Sequence, residues 1–138
     1  MSSDPMIIFT RTYDFVSWLL PHTMNFPRSQ RFVVTKRLQD AALEFQERII
    51  RANHLWGRAR LEQLRQADAA LDMVRLYVRL VYRWQWLDEG QYCHVSGMVK
   101  EMGDLWGGWI NQTMEACGLS KPSPKGKPVS GTSKPSPK

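Results

Sequence analysis

The chain has 138 residues, 43% of them hydrophobic, with 6 Trp and 7 Met, which is one domain's worth of sequence and enough apolar side chain for a real core. Its formal charge of +6 is uneven: residues 28–83 carry twelve basic and six acidic side chains, residues 84–117 one Lys against five acids, and residues 118–138 five Lys and no acid. Residues 1–117 therefore total only +1, which excludes bulk steering of a polyanion by the body and leaves any anion contact to a local patch.

The N-terminal "MSSDPMIIFTRTYDF" carries acids and no long apolar run, so it is not a signal peptide, and nothing later approaches about 18 consecutive apolar residues. These features predict a cytoplasmic protein with no membrane partner. A first helical segment over residues 10–20 holds Tyr13, Val16, Leu19 and Leu20 and stops at Pro21. "HTMNFPRS" follows as a turn, with Pro27 placed to open the next helix. The second segment, 28–53, spaces Val34, Leu38, Ala41, Phe45, Ile49 and Ala52 by threes and fours, the signature of one buried helical face. Glu44 precedes Arg48 by four and Glu47 precedes Arg51 by four, the favourable orientation for surface pairs. Arg28 and Arg31 fall instead in the first turn, where positive charge opposes the helix dipole.

After the break "NHLWG" (53–57), a third segment, 58–87, carries Leu64, Ala67, Leu71, Val74, Val78 and Val81. On a helical wheel of about 100° per residue with Arg75 at zero, Arg79 and Arg83 lie within about 80° of it. Leu71, Val74, Val78 and Val81 span about 240–320°, and Met73, Tyr77, Leu80 and Trp84 about 140–200°. Two apolar faces exceed the stripe of about 100° that a surface helix of a monomeric bundle needs. One face is expected inside the bundle, and the other against a second chain. Asp72 is placed to pair with Arg75, and Asp68 with Arg65, whereas Arg79 and Arg83 have no acid three or four positions away. In an up-down bundle Arg28, Arg31, Arg79 and Arg83 would gather at one end, with only Asp88 and Glu89 nearby. That leaves two readings, a structural network or an anion-binding patch.

The fourth segment, 89–117, carries Val95, Met98, Met102, Leu105 and Trp109. Within it "EMGDLWGGWI" (101–110) places Gly103, Gly107 and Gly108 in a helix at a combined cost of about 2–3 kcal/mol relative to Ala. Close approach of another helix along Gly103 and Gly107, flanked by Trp106 and Trp109 as anchors, would offset it, either between subunits or within the monomer. Cys93 and Cys117 form neither a disulfide framework nor a zinc spacing and read as two buried thiols. After Gly118, "LSKPSPKGKPVSGTSKPSPK" repeats "SKPSPK" and cannot bury enough apolar surface to order itself. The expected organisation is all-α: an up-down-up-down four-helix bundle over 1–117, and a disordered tail over 118–138 that serves solubility or a weak polyanion contact.

"WLLPHTMNFPRSQRFVV" (18–34), "LRQADAALDMVRLYVRL" (64–80) and "EMGDLWGGWI" resemble, in order and separation, the accessory variability determinant (Avd) proteins of diversity-generating retroelements. That family belongs to a wider four-helix group that includes proteins encoded in 23S rRNA intervening sequences. The similarity covers most of residues 10–115. It implies a four-helix subunit of a ring-like homopentamer with a basic surface and no catalytic activity, which binds the element's reverse transcriptase and nucleic acid, RNA or DNA. In such elements the complex copies a template RNA with adenine-directed errors, and the cDNA replaces a variable region of a target gene. Carried onto this chain, the resemblance makes Arg28 and Arg31 of "FPRSQR", with Arg75 and Arg79 of "MVRLYVRL", the contact surface. Arg83 joins them from the wheel. Met73, Tyr77, Trp84, Gly103, Trp106, Gly107 and Trp109 become the assembly surface. Family members often carry basic residues where Asp104 and Asn111 stand, so this body is less basic than its relatives.

Two other classes compete. "RIIRANH" (48–54) matches the Arg-x4–6-His spacing of HEPN-type ribonucleases, in which His54 would move a proton and Arg48 would stabilise phosphorane-like charge. Glu44 already claims Arg48, however, and Ile49 stands where that family prefers a polar residue. A plain oligomeric scaffold fits the paired charges and the nearly neutral body. His22 and His94 lack further ligands at metal spacing. No Ser/His/Asp set, Gly-rich phosphate loop or carboxylate pair points to catalysis, a cofactor or a small-molecule substrate.

Overall fold

Leu64, Ala67, Leu71, Val74, Val78 and Val81 all lie buried on one face of a 27-residue helix, and Val34, Leu38, Ala41, Phe45, Ile49 and Ala52 are all buried on the segment before it. These two stripes form the centre of a four-helix bundle. The computed structural model describes residues 5–119; the Lys-rich stretch read above as a disordered tail lies almost wholly outside them. The helices are α1 (Pro5–Thr23), α2 (Lys36–Asn53), α3 (Gly57–Arg83) and α4 (Glu89–Ala116), with no strand among the described residues. Each packs on the next in sequence, most extensively α2 on α3, and α4 closes against α1. No described helix is long and apolar enough to cross a membrane.

The first helix departs most from expectation. It runs from Pro5 through Pro21 to Thr23, so the proline sits in its last turn, where only one backbone hydrogen bond is lost. Its buried stripe is Ile8, Thr12, Phe15 and Leu19, while Tyr13, expected inside, is 66% exposed. Thr12 takes a core position that a polar residue hides from a hydrophobicity pattern. Arg11 on this helix donates from Nε to Glu101 Oε2 on α4 at 2.7 Å, and the bond and charge of Glu101 raise the Arg11 pKa above its ordinary value.

Ahead of α2, Arg28–Gln30 form a 3-10 turn and Arg31–Thr35 a π turn in place of the single long helix expected. The π turn has one residue more per hydrogen-bonded ring. Val34 and Thr35 thereby turn inward while Phe32 and Val33 stay exposed.

The end of α3 is fixed by its backbone. Gln85 N–H bonds to Tyr82 O at 2.9 Å and Trp86 N–H to Val81 O at 2.8 Å, the paired bonds of a Schellman cap with Gln85 in the left-handed region at φ +67°. The helix therefore stops at Arg83, four residues earlier than expected. Two residues past the cap, Asp88 opens α4: its carboxylate accepts from Gln91 N–H at 2.8 Å and Gln91 Oε1 accepts from Asp88 N–H at 2.9 Å, a reciprocal capping box. Between the caps, Trp86 packs on Phe26 of the α1–α2 turn at 5.4 Å and joins the two turns. The cysteines are not the buried pair expected, since Cys93 is exposed and Cys117 half-buried.

A left-handed non-glycine residue carries a backbone cost of about 1–2 kcal/mol. Gln85→Gly is expected to raise the unfolding free energy by about 0.5–1 kcal/mol, after the entropy that glycine adds to the unfolded chain, in urea titration. A loss of stability would show that the Gln85 side chain contributes more than its backbone strain costs.

Candidate nucleic-acid interface

With the apolar seam of α3 turned inward, the arginines one step round the helix face the groove towards α4. Arg75 and Arg79 line it with Tyr92, Ser96, Lys100, Gly103 and Asp104, around a cavity of about 420 Å³. Arg75 Nη1 donates to Asp72 Oδ1 at 2.7 Å, as its spacing predicts. The other end of the same guanidinium lies over Gly103, where a Cβ would come within 2.6 Å of Nη2. Lys100 is held by Asp104 at 3.0 Å on the far rim. Exposed pairs of this kind contribute about 1 kcal/mol or less each; they position cations more than they stabilise the fold.

Arg79 continues into an adjacent concavity of about 420 Å³, where it meets Arg83, Leu76, Leu80, Tyr82 and Tyr92. Tyr82 and Tyr92 stack there at 4.0 Å and 9°. No acid among the described residues reaches ion-pair distance of Arg79 or Arg83. Asp88 and Glu89 share a further hollow with Arg83, but the Asp88 carboxylate is engaged in its capping box.

The expected gathering of four arginines is only half formed. Arg28 and Arg31 line a separate concavity of about 280 Å³ beneath the α1–α2 turn, with Thr23, Phe26, Thr35 and Gln39. They and the α3 arginines are thus two basic patches. Tyr92, Ser96 and Lys100 were not singled out in the sequence; their signal was the three- to four-residue spacing that puts 92, 96, 100 and 103 on one face of the fourth segment, opposite the arginines.

The assembly surface divides as well. Met73 and Trp84 are 44% and 43% exposed, and Tyr77 is half-buried. Trp109 is corrected: at 4% exposure it belongs to the monomer core, edge-on to Phe9 at 5.8 Å and with the Arg60 guanidinium 5.6 Å over its ring. Trp106 donates its indole N–H to Leu64 O of α3 at 2.7 Å, and Gly103 admits Arg75, so both serve contacts inside the chain. A Cβ at Gly107 would meet nothing; the close-approach argument fails there within the monomer. A second apolar hollow was missed, on the α1–α2 groove, where the exposed Tyr13 and Ile50, the half-buried Phe9 and the buried Ile49 line a cavity of about 350 Å³.

Arg48 donates to Glu44 at 2.6 Å and to Gln63 at 3.1 Å, and His54 is exposed at the end of α2. His22 donates from Nδ1 to Trp18 O at 2.6 Å and stacks on the Trp18 ring.

The profile of the bAvd-like family matches residues 6–113. No curated protein matches the chain in sequence. Among solved structures, a protein of unknown function from the S23 ribosomal protein family of Bacteroides thetaiotaomicron is similar, with a TM-score of 0.70 and 17% identity, over 77% of this chain and 96% of that one. At that identity the likeness speaks for the fold.

Since Gly103 faces only the flexible end of Arg75 and a Leu71 methyl, Gly103→Ala is expected to displace the guanidinium and raise stability by about 0.5–1 kcal/mol through helix propensity. Loss of the Arg75 contact should be visible in its Nε–Hε NMR signal. A stability loss above about 1 kcal/mol would mean that the backbone itself needs the space.

Proposed function

The chain belongs to the bAvd-like family, and on that premise we propose that it is a non-catalytic accessory subunit of a diversity-generating retroelement, a homo-oligomer that binds the reverse transcriptase and nucleic acid. The observation that carries the reading is the α3 face on which Arg79 and Arg83 stand without acidic partners beside the stacked Tyr82 and Tyr92. Free guanidinium forks suit phosphate oxygens. With Arg75 and Lys100 already tied to carboxylates, Arg79 and Arg83 are the primary contacts, and Arg28 and Arg31 provide a second. A pentameric ring needs head-to-tail contacts between two unlike patches on each copy. Met73, Tyr77 and Trp84 on α3 supply one, and the exposed apolar residues of the α1–α2 groove fit the other.

Binding of a single-stranded RNA or DNA oligonucleotide is expected to weaken with salt, and Arg79→Glu with Arg83→Glu to lower the slope of log K against log salt by about 1.4, or about 0.7 per lost contact. Unchanged binding and slope would point to a scaffold or a polymerase adaptor.

Assembly is tested apart from this. Light scattering should report a pentamer for the wild type, and Met73→Glu with Trp84→Glu should shift it to monomer while far-UV circular dichroism is retained. A wild-type monomer at micromolar concentration would overturn the assembly reading.

A further inference from the structure

The hollows on the outer side of α3 share walls. The one that holds Arg75 has Arg79 and Tyr92 in common with the next, which has Tyr82 and Arg83 in common with the hollow at the start of α4. Together they form one track. Arg75, Arg79 and Arg83 follow it at four-residue steps, about 6 Å apart along the helix axis. The two tyrosines stand across it. Their rings are 4.0 Å apart and within 9° of parallel, so each covers one face of the other. Tyr92 also borders the Arg75 hollow, which Tyr82 does not reach, and Tyr82 borders the Asp88 hollow, which Tyr92 does not reach. Both rings are half-buried, and the pair has a hollow on either side.

The two sides differ in chemistry. On the Tyr82 side, Asp88 and Glu89 are carboxylates that repel a polyanion. On the Tyr92 side, Val78 and Val99 give apolar walls to a hollow of about 420 Å³, within the range of small-ligand pockets. The carboxylate that lines it, Asp104, is held by Lys100. An apolar slot beside an aromatic ring suits a flat aromatic group, and the arginines along the track select one that is attached to an anion.

We propose that Tyr92 stacks an unpaired base in this hollow while Arg79 and Arg83 hold adjoining phosphates, so that the nucleic acid taken by the α3–α4 track is single-stranded. The inference rests on the nucleic-acid reading above and narrows it to one substrate class. A duplex keeps its base faces inside the double helix and offers the track only its phosphates. A strand with free bases offers both. Every base has a π face, so stacking of this kind tolerates any sequence.

The test uses the full chain and a thymine-only strand that carries one fluorescent adenine analogue, whose emission falls when it stacks. Binding should quench the analogue. Tyr92→Leu should remove the quench and weaken binding about tenfold, the size of one lost base–aromatic stack. It should leave the slope of log K against log salt unchanged, since no phosphate contact is lost. Tyr92→Phe, which keeps the ring, should keep both quench and affinity. A fully paired duplex of the same length should bind more weakly than the strand, and Tyr92→Leu should not alter its affinity. The wild-type quench decides the matter even where Tyr92→Leu folds poorly. A strand bound without quench, a quench that survives in a folded Tyr92→Leu protein, or a duplex bound as tightly as the strand overturns the proposal. Any of these leaves the salt dependence of Arg79 and Arg83 standing, whereas failure of strand and duplex alike to bind would remove the nucleic-acid reading and this inference with it.

Discussion

The rotation of α3 about its own axis is the constraint on which the rest of the molecule depends. Seven side chains from Leu64 to Val81 are buried in the core, and turning the helix by one residue's angle would move most of them outward at once. Burial of each branched aliphatic side chain contributes about 1.5–3 kcal/mol, so the seam admits one rotation only. Once it is set, Arg75, Arg79 and Arg83 have no choice of direction. The short, doubly capped turn at residues 84–88 then sends α4 back along the same side of α3. The groove between the helices is a consequence of the seam and the two caps, Gln85 ending one helix and Asp88 starting the next.

Within that groove the arginines divide into fixed and free. Arg75 is held by Asp72 on its own helix and housed by the missing side chain of Gly103 on the next. Its charge is locally compensated, and its place is structural. Arg79 and Arg83, four residues apart with no acid between them, repel each other by about 0.2–0.5 kcal/mol. Their outer ends gain no ion pair from the described residues in exchange, although both line one hollow with Leu76, Leu80 and the tyrosine pair. A helix built for stability alone would place a glutamate at one of these positions. The same reasoning applies to Arg28 and Arg31, three apart and opposed to the helix dipole.

The bundle was legible in the sequence where side chains obeyed one period. In α2 and α3 every residue assigned to the core is buried, because the stripes are wide, aliphatic and uninterrupted. In α1 the stripe passes through Thr12, and a polar residue in a core slot moved the reading one position round the helix, to Tyr13. The start of α2 was read as regular helix because a π turn leaves no mark in a three-four pattern; its trace is the exposure of Phe32 and Val33. Residues 101–110 misled in a different way. Tryptophan and glycine side by side resemble an intermolecular contact, but Trp106 bonds to a carbonyl of α3 and Trp109 fills the space between Phe9 and Arg60. Hydrogen bonds from an indole to a distant backbone carry no periodicity, so nothing local in the sequence could announce them. The separation of the two arginine patches was likewise hidden, since it depends on the sides of the bundle that face outward at one end.

The low charge of residues 1–117, +1 in total, bears on why association and anion contact are proposed together. Two or three uncompensated guanidiniums on a nearly neutral subunit make a short-range patch, screened within about 8–10 Å at ordinary salt. Held singly, such a patch binds a polyanion weakly. In the proposed ring the same patch recurs around one axis, and after the first contact each further one is intramolecular, at an effective concentration set by the fixed spacing of the copies. A strand long enough to span neighbouring subunits would then be held far more tightly than one that touches a single copy. The exposed apolar residues of α3 and of the α1–α2 groove, unfavourable on an isolated subunit, would bring those arginines to that fixed spacing. Assembly would supply by repetition the affinity that the charge of one chain is too small to provide.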